Sequence, residues 1–466
     1  MSLEYPRFAV VGHPNKGKSS IVSTLAHDES VQISNIPGTT TKQRAFPLRI
    51  DGKILYELYD TPGFQRARAT LAWLKKEDIS AHHRPDRVKR FIYEYREDSR
   101  FNDEVELLEP IMGGAGIIYV VDGSKPYGVE YEAEMEILRW TGQPSMALIN
   151  LIDDSNYVDE WKMALGQYFR LVRLFNPMEA NFTQHIALLE SMAQLKEEWT
   201  SKVKESIDIF TKYQAQKIDD SATLIAKLTI EALSYISSIP ILGDEATDEE
   251  QRRVMESYQS KIRSIESRLH KRIAKIWNHS SLDSTIDIAL FQEIDLFSKE
   301  SESLFGLSKR DMLIASVTSG ALTGSGIDLM VGGSSFMLGS AIGAIVGGVG
   351  MMWGYSEISD MKILGQKLGS KRVEVGPMQN RNFPYILLRR TIYYTQEIAN
   401  RPHANRADIK IDSSDIAQNI SLSDDKKREL ESIYKSLRRG HALKSKEIDN
   451  YTTLIRQILS QYIKSH

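Results

Sequence analysis

The spacing of apolar and polar positions changes partway along the chain, and the change divides it. Up to about residue 180, short apolar runs alternate with amphipathic stretches. Phe8 to Val11, Ala45 to Ile50, Ile54 to Tyr59, Ala115 to Asp122, Ala147 to Ile149 and Phe169 to Phe175 have the length and β-branched or aromatic content of strands. Several lack polar alternation, as strands covered on both faces do. Ser20 to Leu25, Tyr131 to Trp140 and Tyr157 to Tyr168 read as helices between them. This order predicts an α/β domain over residues 1–180, with a mainly parallel sheet, helices on both faces and a binding site at the carboxyl ends of the strands.

From about Asn181 the period becomes helical and remains so. Val254, Tyr258, Ile262, Ile265, Leu269 and Ile273 share one helix face, leaving Arg252, Lys261, Arg263, Arg268 and Lys271 outside it. A core helix of a bundle is the first reading and a partner-binding coiled coil the alternative. Phe383 to Ala399 is a further helix, Leu430, Ile433 and Leu437 mark another before the helix-stopping Gly440, and Ile448 to Ile463 is the last. Val373 to Pro377 reads as a short extended stretch, and Arg401 to Arg406 as an exit loop. Residues 181–466 are therefore expected to form a mostly α-helical domain.

Within it, 312–355 stands apart. Between Asp311 and Glu357 the only charged side chain is Asp328, in a chain whose mean hydropathy is −0.33. Gly339, Gly343 and Gly347 recur every fourth residue, which puts glycines on one helical face and favours close helix–helix approach in lipid. Leu329 to Trp353 spans 25 residues, against the roughly 20 that cross a hydrocarbon core. A helical hairpin turning at Gly332 to Ser335 would keep Asp328 near the bend, away from mid-bilayer, where a carboxylate costs about 2.5–3.5 kcal/mol. Membrane or membrane-protein contact through this segment is one reading, and a buried soluble helix pair the other.

The candidate chemistry lies at the start of the chain. Gly12-His13-Pro14-Asn15-Lys16-Gly17-Lys18-Ser19 follows a predicted strand and opens a predicted helix. Two glycines with four residues between them, then Lys and Ser, form a phosphate loop: main-chain N–H groups and the helix start face phosphate oxygens, Lys18 adds a mobile charge, and Ser19 holds Mg²⁺. Gly12, Pro14, Asn15, Lys16, Gly17, Lys18, Ser19 and Ser20 are the expected phosphate-binding set. Pro37-Gly38-Thr39-Thr40-Thr41 is a polar loop able to bring a threonine to that metal. Asp60-Thr61-Pro62-Gly63 ends a strand, so Asp60 can reach Mg²⁺ through water and the Gly63 N–H can meet a γ-phosphate.

These three motifs resemble those of the Era-like GTPases, the group that includes Era, the double-domain ribosome-assembly GTPase and the tRNA-modifying GTPase. The resemblance covers roughly residues 5–180 and implies a GTP/GDP-binding, Mg²⁺-dependent hydrolase. It casts Lys18 as the β/γ-phosphate lysine, Ser19 and Thr40 as metal ligands with Thr41 as the alternative to Thr40, Asp60 as the water-mediated ligand, and Lys18, Thr40, Gly63 and Asn15 as the catalytic set. Asn15 matches an asparagine that in some relatives helps bind K⁺ where an arginine finger would otherwise act. The C-terminal half is similar to an uncharacterised domain attached to Era-like GTPases in proteobacteria, through its Gly-rich segment and Arg401-Pro402-His403-Ala404.

Two departures from the pattern shape the expectations. Phe64 stands where many small GTPases carry the water-orienting glutamine, so intrinsic hydrolysis should be slow. The missing stabilisation is worth about 10³–10⁵ in rate for an arginine finger; Asn15 with K⁺ is the first candidate to supply it, and Arg66 or Arg68 the second. Asn150-Leu151-Ile152-Asp153 occupies the guanine-reading position with leucine in place of lysine. Asn150 and Asp153 remain the expected base contacts. The last guanine-side loop has no clear counterpart, Asn176-Pro177 lying at the corresponding strand end.

Composition narrows the classes. A chain of 466 residues exceeds one core. With no cysteine, disulfides and thiolate chemistry are excluded. The net charge of −3 and the lack of a Gly-x-x-Gly flanked by isoleucines argue against nucleic acid. The first strand begins close to the N-terminus, so the expectation is a cytoplasmic protein acting at the inner face of the cytoplasmic membrane. Residues 64–112 form a long charged insertion, with a basic run from Arg84 to Arg90, where a protein partner is expected. A ribosome or RNA assembly factor and a dynamin-like membrane remodeller are the rival readings.

Overall fold

The computed structural model describes residues 5–26, 44–153, 156–241, 245–279, 294–316, 351–357, 362–363, 366–367, 371–402 and 420–463. They fall into two compact units, mainly residues 1–215 and residues 216–399 with 407–465.

The first unit runs β1 (Arg7–Val11), α1 (Lys18–Ala26), β2 (Arg44–Ile50), β3 (Lys53–Asp60), α2 (Ala67–Leu74), α3 (Arg84–Tyr95), α4 (Asn102–Met112), β4 (Gly116–Asp122), α5 (Tyr131–Trp140), β5 (Ser145–Asn150), α6 (Val158–Leu165), β6 (Val172–Leu174) and α7 (Phe182–Ala193), then enters α8 (Glu197–Ser234). Its sheet has the order β2-β3-β1-β4-β5-β6. β2 is antiparallel to β3, and the remaining neighbours are parallel. The β2–β3 hairpin turns at Asp51 and Gly52, with φ of 50° and 79°, the left-handed pair that matches strand twist in a two-residue turn.

Alternate residues along the central strands feed two separate cores. Phe8, Val10, Ile118, Val120, Met146 and Leu148 face α1, α7 and the first half of α8, while Ala9, Val11, Ile117, Tyr119, Val121, Ala147 and Ile149 face α2 to α6. This is the covered parallel sheet that the unbroken apolar runs predict. The compact unit continues past residue 180, because Leu188, Leu189 and Met192 of α7 and Trp199, Val203 and Phe210 of α8 complete the first core.

The insertion is structural as well as charged. Phe64, Leu74, Val88, Phe91, Val105 and Leu108 are buried in the second core beside β4 and α5. Arg87, in the middle of the basic run, is buried as well; its guanidinium lies 3.8 Å over the Trp73 ring and donates to Glu77 at 2.8 Å. Lys89 and Arg90 remain exposed.

The second unit is built on the rest of α8, β7 (Ser237–Pro240), α9 (Asp248–Ile276), the helices Lys299–Phe305, Lys309–Ser316, Phe383–Asn400, Asp424–Arg438 and Ser445–Ile463, and the strands β8 (Met351–Glu357), β9 (Lys362–Ile363), β10 (Gln366–Lys367) and β11 (Lys371–Met378). All six stripe residues of α9 are at most 2% exposed, and Thr247 caps it through a capping box with Glu250. The helix Phe383–Asn400 is buried on nearly every side. Its Arg390 donates to Glu266 (2.7 Å), to the Ile294 carbonyl (2.9 Å) and to Ser301 (3.1 Å). Gly440, at φ 72°, follows the end of Asp424–Arg438 as the stop.

The C-terminal end of the Gly-rich segment departs from expectation. Met351 to Tyr355 belong to β8 rather than to a helix, paired antiparallel with β11, which also pairs with β7 to form a three-stranded sheet. Aromatic residues at Trp353 and Tyr355 suit a strand, and β11 offers them a ready partner edge. Residues 317–350, including Asp328 and the glycine repeat, lie outside the described residues. Among the described residues, no helix is long and apolar enough to cross a membrane.

Candidate functional site

The site is assembled where β1, β3, β4 and β5 end. The chain leaves β1 at Gly12, with φ of 143°, and a Cβ there would lie 2.4 Å from the Val120 carbonyl oxygen. Gly17 has φ of 82°, and a Cβ there would lie 2.3 Å from Asn150 Nδ2. Both positions therefore require glycine. Asn15, at φ 59°, is the residue type that best tolerates the left-handed region between them. The Ile21 N–H then donates to Gly17 O at 3.0 Å and α1 begins.

Lys18 is 8% exposed. Its Nζ donates to the carbonyls of Gly12 (3.2 Å) and His13 (3.0 Å). Burial lowers its pKa to about 8, opposed by Asp60 and Glu134 and assisted by Lys16. Phosphate oxygens, carrying charge as well as lone pairs, are a stronger acceptor set for this ammonium than carbonyls are.

Ser19 Oγ donates to Asp60 Oδ2 at 2.8 Å, and Asp60 is 4% exposed at the end of β3. A hydroxyl and a buried carboxylate converging in this way form an all-oxygen donor pair, which suits a hard cation such as Mg²⁺. Among the described residues no three His, Cys, Asp or Glu side chains cluster; a Mg²⁺ that draws its remaining ligands from phosphates and water does not need them. Thr61 Oγ1 donates to Val10 O at 2.8 Å and holds the end of β3 against β1. A Cβ on Gly63 would lie 2.6 Å from Pro14 N, so the backbone at Gly63 touches the phosphate loop. Thr39, Thr40 and Thr41 lie outside the described residues. Arg66 and Arg68 are exposed, and Phe64 is 2% exposed in the second core.

On the base side, Asn150 Nδ2 donates to Lys16 O at 3.2 Å, linking β5 to the phosphate loop. Asp153 is exposed and bonded to Lys125 at 2.7 Å. Leu151 is half-buried and packs against the second core. The Lys16 ammonium lies 3.6 Å from Asp122 and 5.9 Å from the centre of the Tyr131 ring.

Several residues that position the loop are not singled out by motif spacing. His13 Nδ1 is 2.8 Å from Glu134 Oε1, and the Tyr119 hydroxyl donates to Glu134 Oε2 at 2.9 Å. Glu134 is only 2% exposed. The signal for it was a carboxylate at the buried face of α5, three residues after Tyr131 and four before Leu138. Glu104 of α4, fully buried, accepts from the main-chain N–H groups of Gln65 (2.8 Å) and Arg66 (2.5 Å), two and three residues after Gly63. Burial raises its pKa, while those N–H groups act in the opposite sense.

Residues 7–150 match the family described as 50S ribosome-binding GTPase, and residues 162–459 match a domain of unknown function (DUF3482). GTPase Der of Herminiimonas arsenicoxydans is 47% identical over 73 residues, 16% of this chain and 16% of that protein. GTPase Der of Mycoplasma pneumoniae is 26% identical over 209 residues, 43% of this chain and 40% of that one. The chain thus spans well under half the length of these curated relatives. Among solved structures, Aquifex aeolicus Era bound to GDP·AlF4⁻ aligns with TM-score 0.29 and 12% identity, over 52% of this chain and 75% of that one. The α/β fold with its phosphate loop and the largely helical C-terminal region are as the sequence predicts, and the chain belongs to the family defined by the domain of unknown function (DUF3482), joined to an N-terminal P-loop GTPase domain that matches the family described as 50S ribosome-binding GTPase.

Proposed function

We propose that the protein is a Mg²⁺-dependent switch that binds and slowly hydrolyses GTP. The observation that carries this is the joining of three elements at one point: Lys18 inside a glycine-framed loop, Ser19 bonded to Asp60, and Gly63 in backbone contact with Pro14. The loop amides and Lys18 hold the β- and γ-phosphates, and the Gly63 N–H responds to the last of them. Mg²⁺, held by Ser19, Thr40 and, through water, Asp60, would neutralise charge on the phosphate oxygens. Phe64 is turned into the core and has no polar atom with which to orient water; Asn15 would help hold a K⁺, which would supply the missing charge stabilisation. Guanine preference rests on Asn150 and Asp153. Loss of the γ-phosphate frees Gly63, and the motion is passed to the insertion through Phe64 and Glu104.

The test is a fluorescence titration with a labelled GTP analogue, in Mg²⁺ and in EDTA, followed by single-turnover hydrolysis in KCl and in NaCl. Binding should tighten with Mg²⁺, Ser19→Ala should remove that gain, and hydrolysis should be faster in KCl. Binding indifferent to Mg²⁺ would contradict the proposal.

We further propose that 317–350, with Asp328 as its only charged residue, is the part that meets a membrane at the inner face of the cytoplasmic membrane. Carbonate-washed membranes should retain the full chain and release one lacking 317–350; release of both would defeat this.

A further inference from the structure

The guanine-reading loop lacks its lysine, and the structure places another beside it. Lys125 lies on the loop after β4, and its Nζ is 2.7 Å from Asp153 Oδ2, 28 residues along the chain. Both groups are about half exposed, so the pair alone would be an ordinary surface contact. The two backbones, however, are joined at several points. Gly123 N–H donates to Asn150 O at 2.6 Å, and Tyr157 N–H to Gly123 O at 2.8 Å. The indole N–H of Trp161, fully buried in α6, donates to Lys125 O at 2.8 Å. Asp122 fixes the turn by accepting from Ser124 N at 3.0 Å. A lysine stem rooted in this turn therefore meets Asp153 by construction of the loop.

Guanine offers N1–H and a 2-amino group, both donors. Adenine offers a lone pair at N1 and no 2-amino group. A carboxylate held opposite that edge accepts two hydrogen bonds from guanine and repels adenine. Asp153 can accept from Lys125 and still receive the base, because a carboxylate has about four acceptor sites. What it needs is a fixed direction and a lasting charge. Leu151, packed on the core, supplies neither. The hydrogen bond to Asp153 raises the Lys125 pKa.

We propose that Lys125 is a positioning residue for base specificity: from the neighbouring loop it orients Asp153 toward the N1–H and 2-amino edge of a guanine nucleotide. This rests on the nucleotide-binding reading above.

The test measures dissociation constants of Mg-GTP, Mg-ITP and Mg-ATP for the full chain, unaltered and as Lys125→Ala, Lys125→Arg and Asp153→Ala. Lys125→Ala should weaken GTP binding about fivefold, the upper range for an exposed pair, and leave ATP unchanged. Its effect on ITP, which lacks the 2-amino group, should be smaller. Lys125→Arg, which keeps the charge, should retain discrimination, a rescue by the conservative variant that mere structural damage would not allow. The proposal is overturned if Lys125→Ala leaves the ratio of ATP to GTP dissociation constants within twofold of the unaltered chain, or if Lys125→Arg loses discrimination as fully as Lys125→Ala. Tight binding with equal affinity for GTP and ATP overturns this inference alone, whereas no binding of any nucleotide overturns the phosphate-loop reading beneath it.

Discussion

Replacing Glu104 with alanine should loosen the loop after Gly63 while leaving the sheet intact. The helix that follows, Ala67–Leu74, has Arg66 at its N-cap position with no side-chain capping bond, so its first donors need an acceptor from elsewhere. Glu104, from the insertion, instead holds the two residues that lead into the helix, accepting from the N–H groups of Gln65 and Arg66 through one oxygen, and its charge is favourable at a helix start. A fully buried donor left without an acceptor costs about 1–3 kcal/mol, and the part-buried N–H groups of Gln65 and Arg66 cost less because water reaches them. Relief of burying Glu104 itself offsets part of this, because its Oε2 has no hydrogen-bond partner. The net loss is about 1–2 kcal/mol of local stability, or roughly 5- to 30-fold in the opening equilibrium. Native-state hydrogen exchange reads this directly: the amides of Gln65 and Arg66 should exchange faster by that factor, and Leu58 in β3 should not change. Glu104→Gln, which keeps one acceptor oxygen, should show a smaller effect. Unchanged exchange at Gln65 and Arg66 in Glu104→Ala would refute the reasoning.

Two further outcomes follow from buried groups. Glu134→Ala removes the acceptor of both Tyr119 and His13, so chemical unfolding of the first unit should show a loss of about 2 kcal/mol and GTP affinity should fall with it; unchanged stability would show that the cluster is dispensable. His270 is 1% exposed, and its pKa is lowered from 6.5 to about 4 by burial and by Arg390, against the opposing effect of Glu266. Between those values the unfolded chain takes up a proton that the folded chain does not. Stability of the second unit should therefore hold above pH 6.5 and fall as the pH drops toward 4, by up to about 3 kcal/mol. Urea unfolding at stepped pH should show this slope and His270→Phe should flatten it; an unaltered slope in His270→Phe would assign the loss to other groups.

Local chemistry was legible in the sequence where it depends on near neighbours. The phosphate loop is one contiguous stretch whose glycines have a single use, and the helical stripe from Val254 to Ile273 is buried residue for residue. The turn at Asp51-Gly52 was similarly legible, because two left-handed residues allow few alternatives. Features created by distant pairing were not. Glu104, Glu134 and Arg87 look like solvated charges in a helix until the fold brings Gln65, His13 and Trp73 to them. Met351 to Tyr355 continue an apolar, glycine-rich run, and only the edge of β11 makes a strand of them. Lys125 is one charge among many until the turn carrying it is joined to the loop at Asp153.

The most direct measurement is calorimetric titration of the full chain with Mg-GTP beside its Lys18→Ala variant. The account predicts saturable binding by the unaltered chain and at least about a 30-fold loss in the variant, since several charge-assisted bonds disappear together. Equal affinity in the two proteins, or no binding by the unaltered chain, would contradict it.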